Sequence, residues 1–80
     1  MRVMLHLFES GNDVFDEEGV EVESLDAARN LAITAAREIL AHEMMMTGKS
    51  TLNRRIEIAD ESGTILASVS FASIMPLGNG

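Results

Sequence analysis

Cysteine is absent from this 80-residue sequence, and aromatic residues are scarce, with three phenylalanines and neither tryptophan nor tyrosine. Without cysteine the chain has no disulfide framework, no thiolate metal site, no iron–sulfur cluster and no cysteine nucleophile. The absence also fits a reducing compartment. Proteins that hold single-stranded nucleic acids stack the bases on aromatic rings, so the scarcity of aromatics argues against that ligand.

Basic residues are also few. Six lysines and arginines stand against thirteen acids, which gives a formal charge of −7. A protein of this charge repels phosphate backbones and anionic lipid headgroups, so we expect neither nucleic-acid nor membrane binding. The apolar stretch at 1–8 is short and interrupted by His6, unlike a signal-peptide core, and no later stretch approaches the roughly 20 apolar residues of a membrane span. We therefore expect a cytoplasmic protein.

The chain does contain enough apolar sequence, 46% of its residues, for one folded domain. Extended patterns lie on both sides of one long helical pattern and cover 3–9, 14–22, 54–60 and 64–71. We predict a single α+β domain over 1–75, in which two β-hairpins are joined by one long amphipathic helix (ββαββ). The sheet is expected to be mostly antiparallel and four-stranded with the helix on one face, and 76–80 should form a frayed tail.

The helical pattern, 25–46, has recognisable ends. Ser24 is a good N-cap, Asp26 places a negative charge in the first turn, and Gly48 is the expected left-handed residue after the last turn. With a turn of about 100° per residue, one broad apolar face forms. Its members are mostly alanine and leucine: Leu25, Ala28, Leu31, Ala32, Ala35, Ala36, Ile39 and Leu40.

The strand patterns predict which residues face the helix. Ile56 and Ile58 alternate with charged residues, and 60–63 is typical of a tight hairpin turn with glycine in the left-handed position. If the helix runs back along strand two, a fully antiparallel sheet needs strand one beside strand three, or strand two beside strand four. The first strand is apolar on both faces, which favours an interior position for it. In the last strand the residues expected to face the helix are Ile65, Ala67, Val69 and Phe71, with Leu66 on the far side.

Four segments resemble a family of short alphaproteobacterial proteins that is classed as a domain of unknown function. They are 15–21 (FDEEGVE), 24–29 with 35–38 (SLDAAR and AARE), and 56–63 (IEIADESG). The similarity covers most of the chain in the expected order. It departs at the start, where family members usually carry an aromatic pair and this chain has Met4, Leu5 and Leu7. The resemblance implies one compact domain in a bacterial cytoplasm and no catalytic residues.

Two short motifs suggest chemistry and fail on spacing. His42 and Glu43 begin a zinc-protease helix, but the second histidine position is Met46. Residues 48–50 match the end of a phosphate-binding loop, yet its first glycine position is Glu43, inside the predicted helix. Arg54 with its neighbours is expected to be ordinary cationic surface. We therefore predict no catalytic residues, no metal site and no cofactor, and expect that the protein is not an enzyme.

The acidic segment 13–18, which Gly19 follows, allows two interpretations. Asp13, Asp16, Glu17 and Glu18 could hold a hard cation through oxygen ligands, although their spacing does not match a calcium loop. The simpler interpretation is a solvated, charged strand edge that discourages aggregation between sheets. The first interpretation leads to an alternative function, a ligand- or cation-responsive regulator that uses 13–18.

Spare apolar surface points to the leading hypothesis, a small non-enzymatic protein-interaction module that binds itself or an unknown protein. Methionine is adaptable and frequent on binding surfaces, and three in a row cannot all face one sheet. The candidate interface residues are Met4, Phe8, Leu66, Met44, Met45 and Met46. A third hypothesis, an antitoxin-like partner protein, depends only on the order of hairpin and helix.

Overall fold

The computed structural model describes residues 1–49 and 52–74, so the predicted tail, 76–80, lies outside the described residues. Four strands form one antiparallel sheet in the order β2-β1-β3-β4. The predicted α+β class and the helix between two strand pairs are confirmed. The elements are β1 (Arg2–Phe8), β2 (Val20–Glu21), α1 (Leu25–Thr47), β3 (Arg55–Ala59), β4 (Ile65–Ser70) and α2 (Phe71–Ile74).

The helix α1 begins and ends where the sequence predicts. The Ser24 hydroxyl accepts a hydrogen bond from the Ala27 N–H at 3.1 Å. Gly48 has φ 73°, and its N–H donates to the Met44 carbonyl at 2.8 Å, which closes the last turn. Neither helix in the described ranges combines the length and the apolar character that a bilayer span needs.

Small side chains let α1 lie close to the sheet. The buried residues of the helix are Ala28, Ala32, Ala36 and Leu40. They pack against side chains from β1, β3, β4 and α2, among which Val3, Ile58 and Phe71 are the largest with no appreciable exposure. Burying one such side chain stabilises the fold by about 1.5–3 kcal/mol. Leu31, predicted on this apolar face, is instead 41% exposed at its edge.

The first hairpin has an interrupted second arm. β1 is an interior strand beside β3, as its two apolar faces predict. On its other side, β2 has only two residues, and Val14 adds one isolated bridge to Leu7. Residues 15–19 leave the sheet between these contacts, so the predicted arm, 14–22, is mostly loop.

In β4, two side chains face the opposite way from the sequence prediction. The register shifts between Ile58 and Ala59, where Ala59 pairs with Ile65. This irregularity inverts the expected faces: Ile65 is 48% exposed, and Leu66 is half-buried against the core. The prediction that Leu66 faces away from the helix is therefore wrong, because an extra residue in the strand shifts the alternation.

Candidate interaction surface

The helix covers one side of the sheet and leaves the other open. Val3, Leu5 and Leu7 pack in or against the core beneath α1, so the alternate residues of β1 project to the opposite side. Residues paired across antiparallel strands share a face. The open face is defined here by three cross-strand rows: Met4, Ala59 and Ile65; His6, Glu57 and Ser68; Phe8, Arg55 and Ser70.

An aromatic cluster lies on the open face. The Phe15 ring stands edge-on to both the His6 ring, at a centroid distance of 5.3 Å, and the Phe8 ring, at 5.6 Å. The Arg55 guanidinium lies 4.5 Å above the Phe8 ring, and its Nε donates to Glu57 Oε2 at 2.9 Å. Phe15 nevertheless remains 59% exposed. The cluster therefore presents an aromatic side chain to solvent in a fixed orientation.

Asp16 holds the loop that carries Phe15. Its Oδ2 accepts a hydrogen bond from the Leu5 N–H at 3.1 Å, at the point of β1 that has no strand partner on this side. Its Oδ1 accepts from the N–H groups of Glu18, at 3.1 Å, and Gly19, at 3.0 Å. The Asp16 N–H in turn donates to His6 Nδ1 at 3.0 Å. One residue thus satisfies the backbone where the second arm leaves the sheet.

These hydrogen bonds stabilise the ionised carboxylate. They hold the pKa of Asp16 below its ordinary value of 3.8, with the Gly19 N–H as the largest cause and partial burial in opposition. The bonds from the Leu5 and Glu18 N–H groups lower this pKa further. Asp16 is therefore a structural anion of the loop.

The other acids of segment 13–18 are less constrained. Asp13 Oδ1 accepts from the Glu9 N–H at 3.2 Å, which closes the turn after β1. Glu17 and Glu18 are exposed. Throughout 1–49 and 52–74, no three histidine, aspartate or glutamate side chains converge as metal ligands. The structure thus uses Asp13 and Asp16 to bind backbone N–H groups.

The methionines lie at the C-terminal end of α1, on the other side of the sheet from the open face. Met44, Met45 and Met46 are 45%, 86% and 70% exposed. Met4 and Phe8, by contrast, are half-buried members of the open face. The six candidate interface residues therefore do not form one surface: two lie on the open face, three lie on the helix end, and Leu66 packs against the core.

The two histidines lie on opposite sides of the sheet. His42 is exposed on the flank of α1, where it borders an open cleft that is also lined by Ile39 and Met46. His6 belongs to the open face and accepts the Asp16 N–H. The two imidazoles therefore cannot share a metal ion.

A buried arginine is the feature that sequence reasoning missed. Arg54 is only 6% exposed, and the prediction that it is surface is wrong. Its guanidinium donates to Glu9 Oε2 at 3.1 Å and to Glu43 Oε1 at 2.7 Å, and lies 4.8 Å from the centre of the Phe71 ring. The alternation of β3 contained the signal, since Arg54 precedes the core residue Ile56 by two positions.

Comparison with known proteins gives a family match. A family model with the description "Domain of unknown function (DUF6894)" covers residues 2–72. The alphaproteobacterial origin that the sequence resemblance implies stays a prediction. No curated protein and no solved structure matches the chain.

Proposed function

The chain belongs to that family, and we propose that it is a small, acidic, non-enzymatic protein-interaction module. It docks a protein partner on the open face and also pairs with a second copy of itself. The proposal includes the cytoplasm as its compartment, in keeping with the absence of cysteine.

The exposure of Phe15 is the observation that carries the proposal. A flexible aromatic side chain loses conformational entropy when a partner immobilises it, whereas two ring contacts already fix Phe15. Aromatic residues and arginine are enriched among the residues that dominate binding energies. Phe15, Phe8 and Arg55 supply both types within one face, and the Arg55–Glu57 ion pair leaves little net charge there.

Four carboxylates among the described residues favour binding over catalysis. Glu9 and Glu43 bind the buried guanidinium of Arg54, and the Asp16 carboxylate binds backbone N–H groups. Asp60 is likewise committed, because its Oδ1 accepts from Ser62 and Thr64 in the turn before β4. Each of these four carboxylates has a structural role, which supports the non-enzymatic proposal.

The test compares two exposed apolar residues on opposite sides of the sheet. Tagged wild-type protein, Phe15→Ser and Met45→Ser are expressed in the cells that naturally contain the protein, and co-purifying proteins are quantified by mass spectrometry. Phe15→Ser removes the open-face anchor, whereas Met45, 86% exposed, lies at the helix end. Circular dichroism checks that all three proteins fold.

We expect at least one protein to bind the wild type and Met45→Ser equally and to be depleted with Phe15→Ser. The purified partner should then bind Phe15→Ser about 30-fold more weakly, the fold-change that corresponds to a hot-spot loss of about 2 kcal/mol. Co-purifying proteins that respond equally to both substitutions, or to neither, would overturn the open face as the docking surface.

A further inference from the structure

The two edges of the sheet differ in charge. The β2 edge, Val20–Glu21, is flanked by Glu18 and Glu23, a pattern that opposes pairing with another strand. The β4 edge has the sequence ILASVS and contains no charged residue. Within 1–49 and 52–74, no strand pairs with the outer side of β4. The β4 edge is therefore neutral in a chain whose net charge is −7.

The register identifies the backbone groups along this edge. Leu7 and Val14 exchange both of their backbone hydrogen bonds, so odd-numbered residues of β1 bond toward β2 and even-numbered ones toward β3. The same alternation, followed through β3, turns the N–H groups of Ser68 and Ser70 outward. The Ser70 carbonyl accepts from the Ser73 hydroxyl at 2.7 Å, whereas Ser68 presents both its N–H and its C=O to the edge.

We infer that β4 pairs antiparallel with β4 of a second copy, around a two-fold axis that passes between the two Ser68 residues. The inference rests on the proposed self-association and names its surface. In this register each Ser68 exchanges two backbone hydrogen bonds with its counterpart, and Ala67 of one copy lies opposite Val69 of the other. The two sheets become one continuous eight-stranded sheet.

Charge favours a second copy as the occupant of this edge. The central pair is serine against serine, and Ala67 of one strand meets Val69 of the other on the helix side, so no charge faces another. Elsewhere two chains of −7 repel each other, most of all at the acidic β2 edge. Self-pairing therefore has one register that is symmetric, neutral and rich in backbone hydrogen bonds.

A disulfide experiment tests the register. Residues opposite each other in a hydrogen-bonded antiparallel pair have Cα atoms about 5.5 Å apart, within the range of a disulfide. Ser68→Cys should therefore form a covalent dimer in a glutathione redox buffer, since the chain has no other cysteine. In Ser70→Cys, an exposed position on the same strand, the two Cα atoms would lie about 14 Å apart, too far for a bridge.

We expect Ser68→Cys to oxidise to dimer at least about tenfold faster than Ser70→Cys in the native state, and at the same rate as Ser70→Cys in denaturant. Equal native rates would overturn the register. Ser68→Pro supplies a second readout, because proline lacks the N–H that Ser68 turns outward. The hydrogen bonds between β4 and β3 do not use this N–H and are kept. Sedimentation should show weaker pairing for Ser68→Pro than for Ser68→Ala, and equal pairing would contradict the inference.

The electrostatic control is Ser68→Lys. It reduces the net charge from −7, so general repulsion would decrease and pairing at any other surface would strengthen. At the β4 edge it places two ammonium groups opposite each other and weakens pairing. If the wild type pairs, and Phe15→Ser weakens the pairing while none of the β4 variants does, then β4 is not the pairing surface, although the proposed self-association stands. A wild type that stays monomeric would overturn the proposed self-association itself.

Discussion

Two adjacent arginines before and within β3 have different physical roles. Arg54 lies in the helix-side interior between Glu9 and Glu43, where it joins the end of β1 to the end of α1. Arg55 points to the open face, is exposed, and pairs with Glu57. Removing one partner of a buried ion pair leaves uncompensated charge, whereas exposed pairs contribute little.

We predict that Arg54→Ala destabilises the protein by about 3 kcal/mol, because Glu9 and Glu43 lose their shared partner. Arg55→Ala, the matched control, should cost under about 1 kcal/mol. Urea unfolding monitored by circular dichroism measures both free energies. Equal losses would show that Arg54 contributes no more than a surface arginine.

Asp16→Asn should destabilise the protein by about 1–2 kcal/mol near neutral pH, because a neutral amide cannot accept three N–H bonds as the carboxylate does. The folded-state pKa of Asp16 lies below its ordinary value. The stabilisation is therefore fully present above the unfolded pKa and is lost as pH falls through the folded value.

The difference in unfolding free energy between the wild type and Asp16→Asn should accordingly shrink on acidification. Asp60, whose pKa is lowered chiefly by the Ser62 hydroxyl, titrates in both proteins and cancels from the difference. Urea unfolding along a pH series measures it. A free-energy difference that does not change with pH would show that the charge of the Asp16 carboxylate does not stabilise the fold.

At the scale of elements, local signals predict local structure. The caps of α1 and the Asp60–Gly63 turn depend on neighbouring residues only, and Gly63 does take the left-handed φ of 91°. Ile65 and Leu66 exchange faces because of a register shift opposite Ala59, which depends on how β4 meets β3. No alternation pattern within β4 specifies that event.

The interior position of β1 could also be predicted from a local pattern, because apolar residues occupy both of its faces. The open-face cluster could not, since Phe15 reaches His6 and Phe8 only after Asp16 anchors the loop. Phe71 was expected to end a strand and instead begins α2. Its ring contact with Arg54 joins chain segments that no local sequence pattern relates.

A substitution at Gly19 tests whether the loop 15–19 needs its close approach to β1. The φ of Gly19 is 79°, and an added Cβ would lie 2.9 Å from the Val3 carbonyl oxygen, a backbone atom of β1. Gly11 has a similar φ of 74° with nothing nearby, so it is the matched control. Gly11→Ala should cost about 1 kcal/mol for the left-handed backbone alone.

Gly19→Ala should cost more than Gly11→Ala, because the loop must also move away from β1. It should disturb the amide signals of Leu5 and Asp16 as well, since the loop carries their hydrogen bond. Thermal unfolding and amide NMR spectra check both results. Equal costs at the two glycines would mean that the close approach at Val3 is not needed.

At the scale of the whole molecule, the charge distribution separates the surfaces. Acids flank the β2 edge, the open face carries a balanced ion pair, and β4 is neutral. Domains of this size have thin cores and often gain stability by pairing. We therefore propose that the acidic segment is an edge that repels strands and that the open face and β4 are the contact surfaces.

If segment 13–18 is such an edge, millimolar calcium or magnesium should leave its amide chemical shifts nearly unchanged. Asp13 and Asp16 already bind backbone N–H groups. A chelator should likewise leave the cooperative thermal transition intact. Saturable shifts confined to this segment would favour the cation-responsive regulator instead.

Sedimentation equilibrium of the wild type, over a range of micromolar concentrations and at two salt levels, tests the proposed self-association most directly. We predict a weight-average mass that rises from monomer toward dimer with concentration. Higher salt should tighten the pairing, because it screens the repulsion between two chains of −7. A mass that stays monomeric at every concentration in both salts would contradict the self-association.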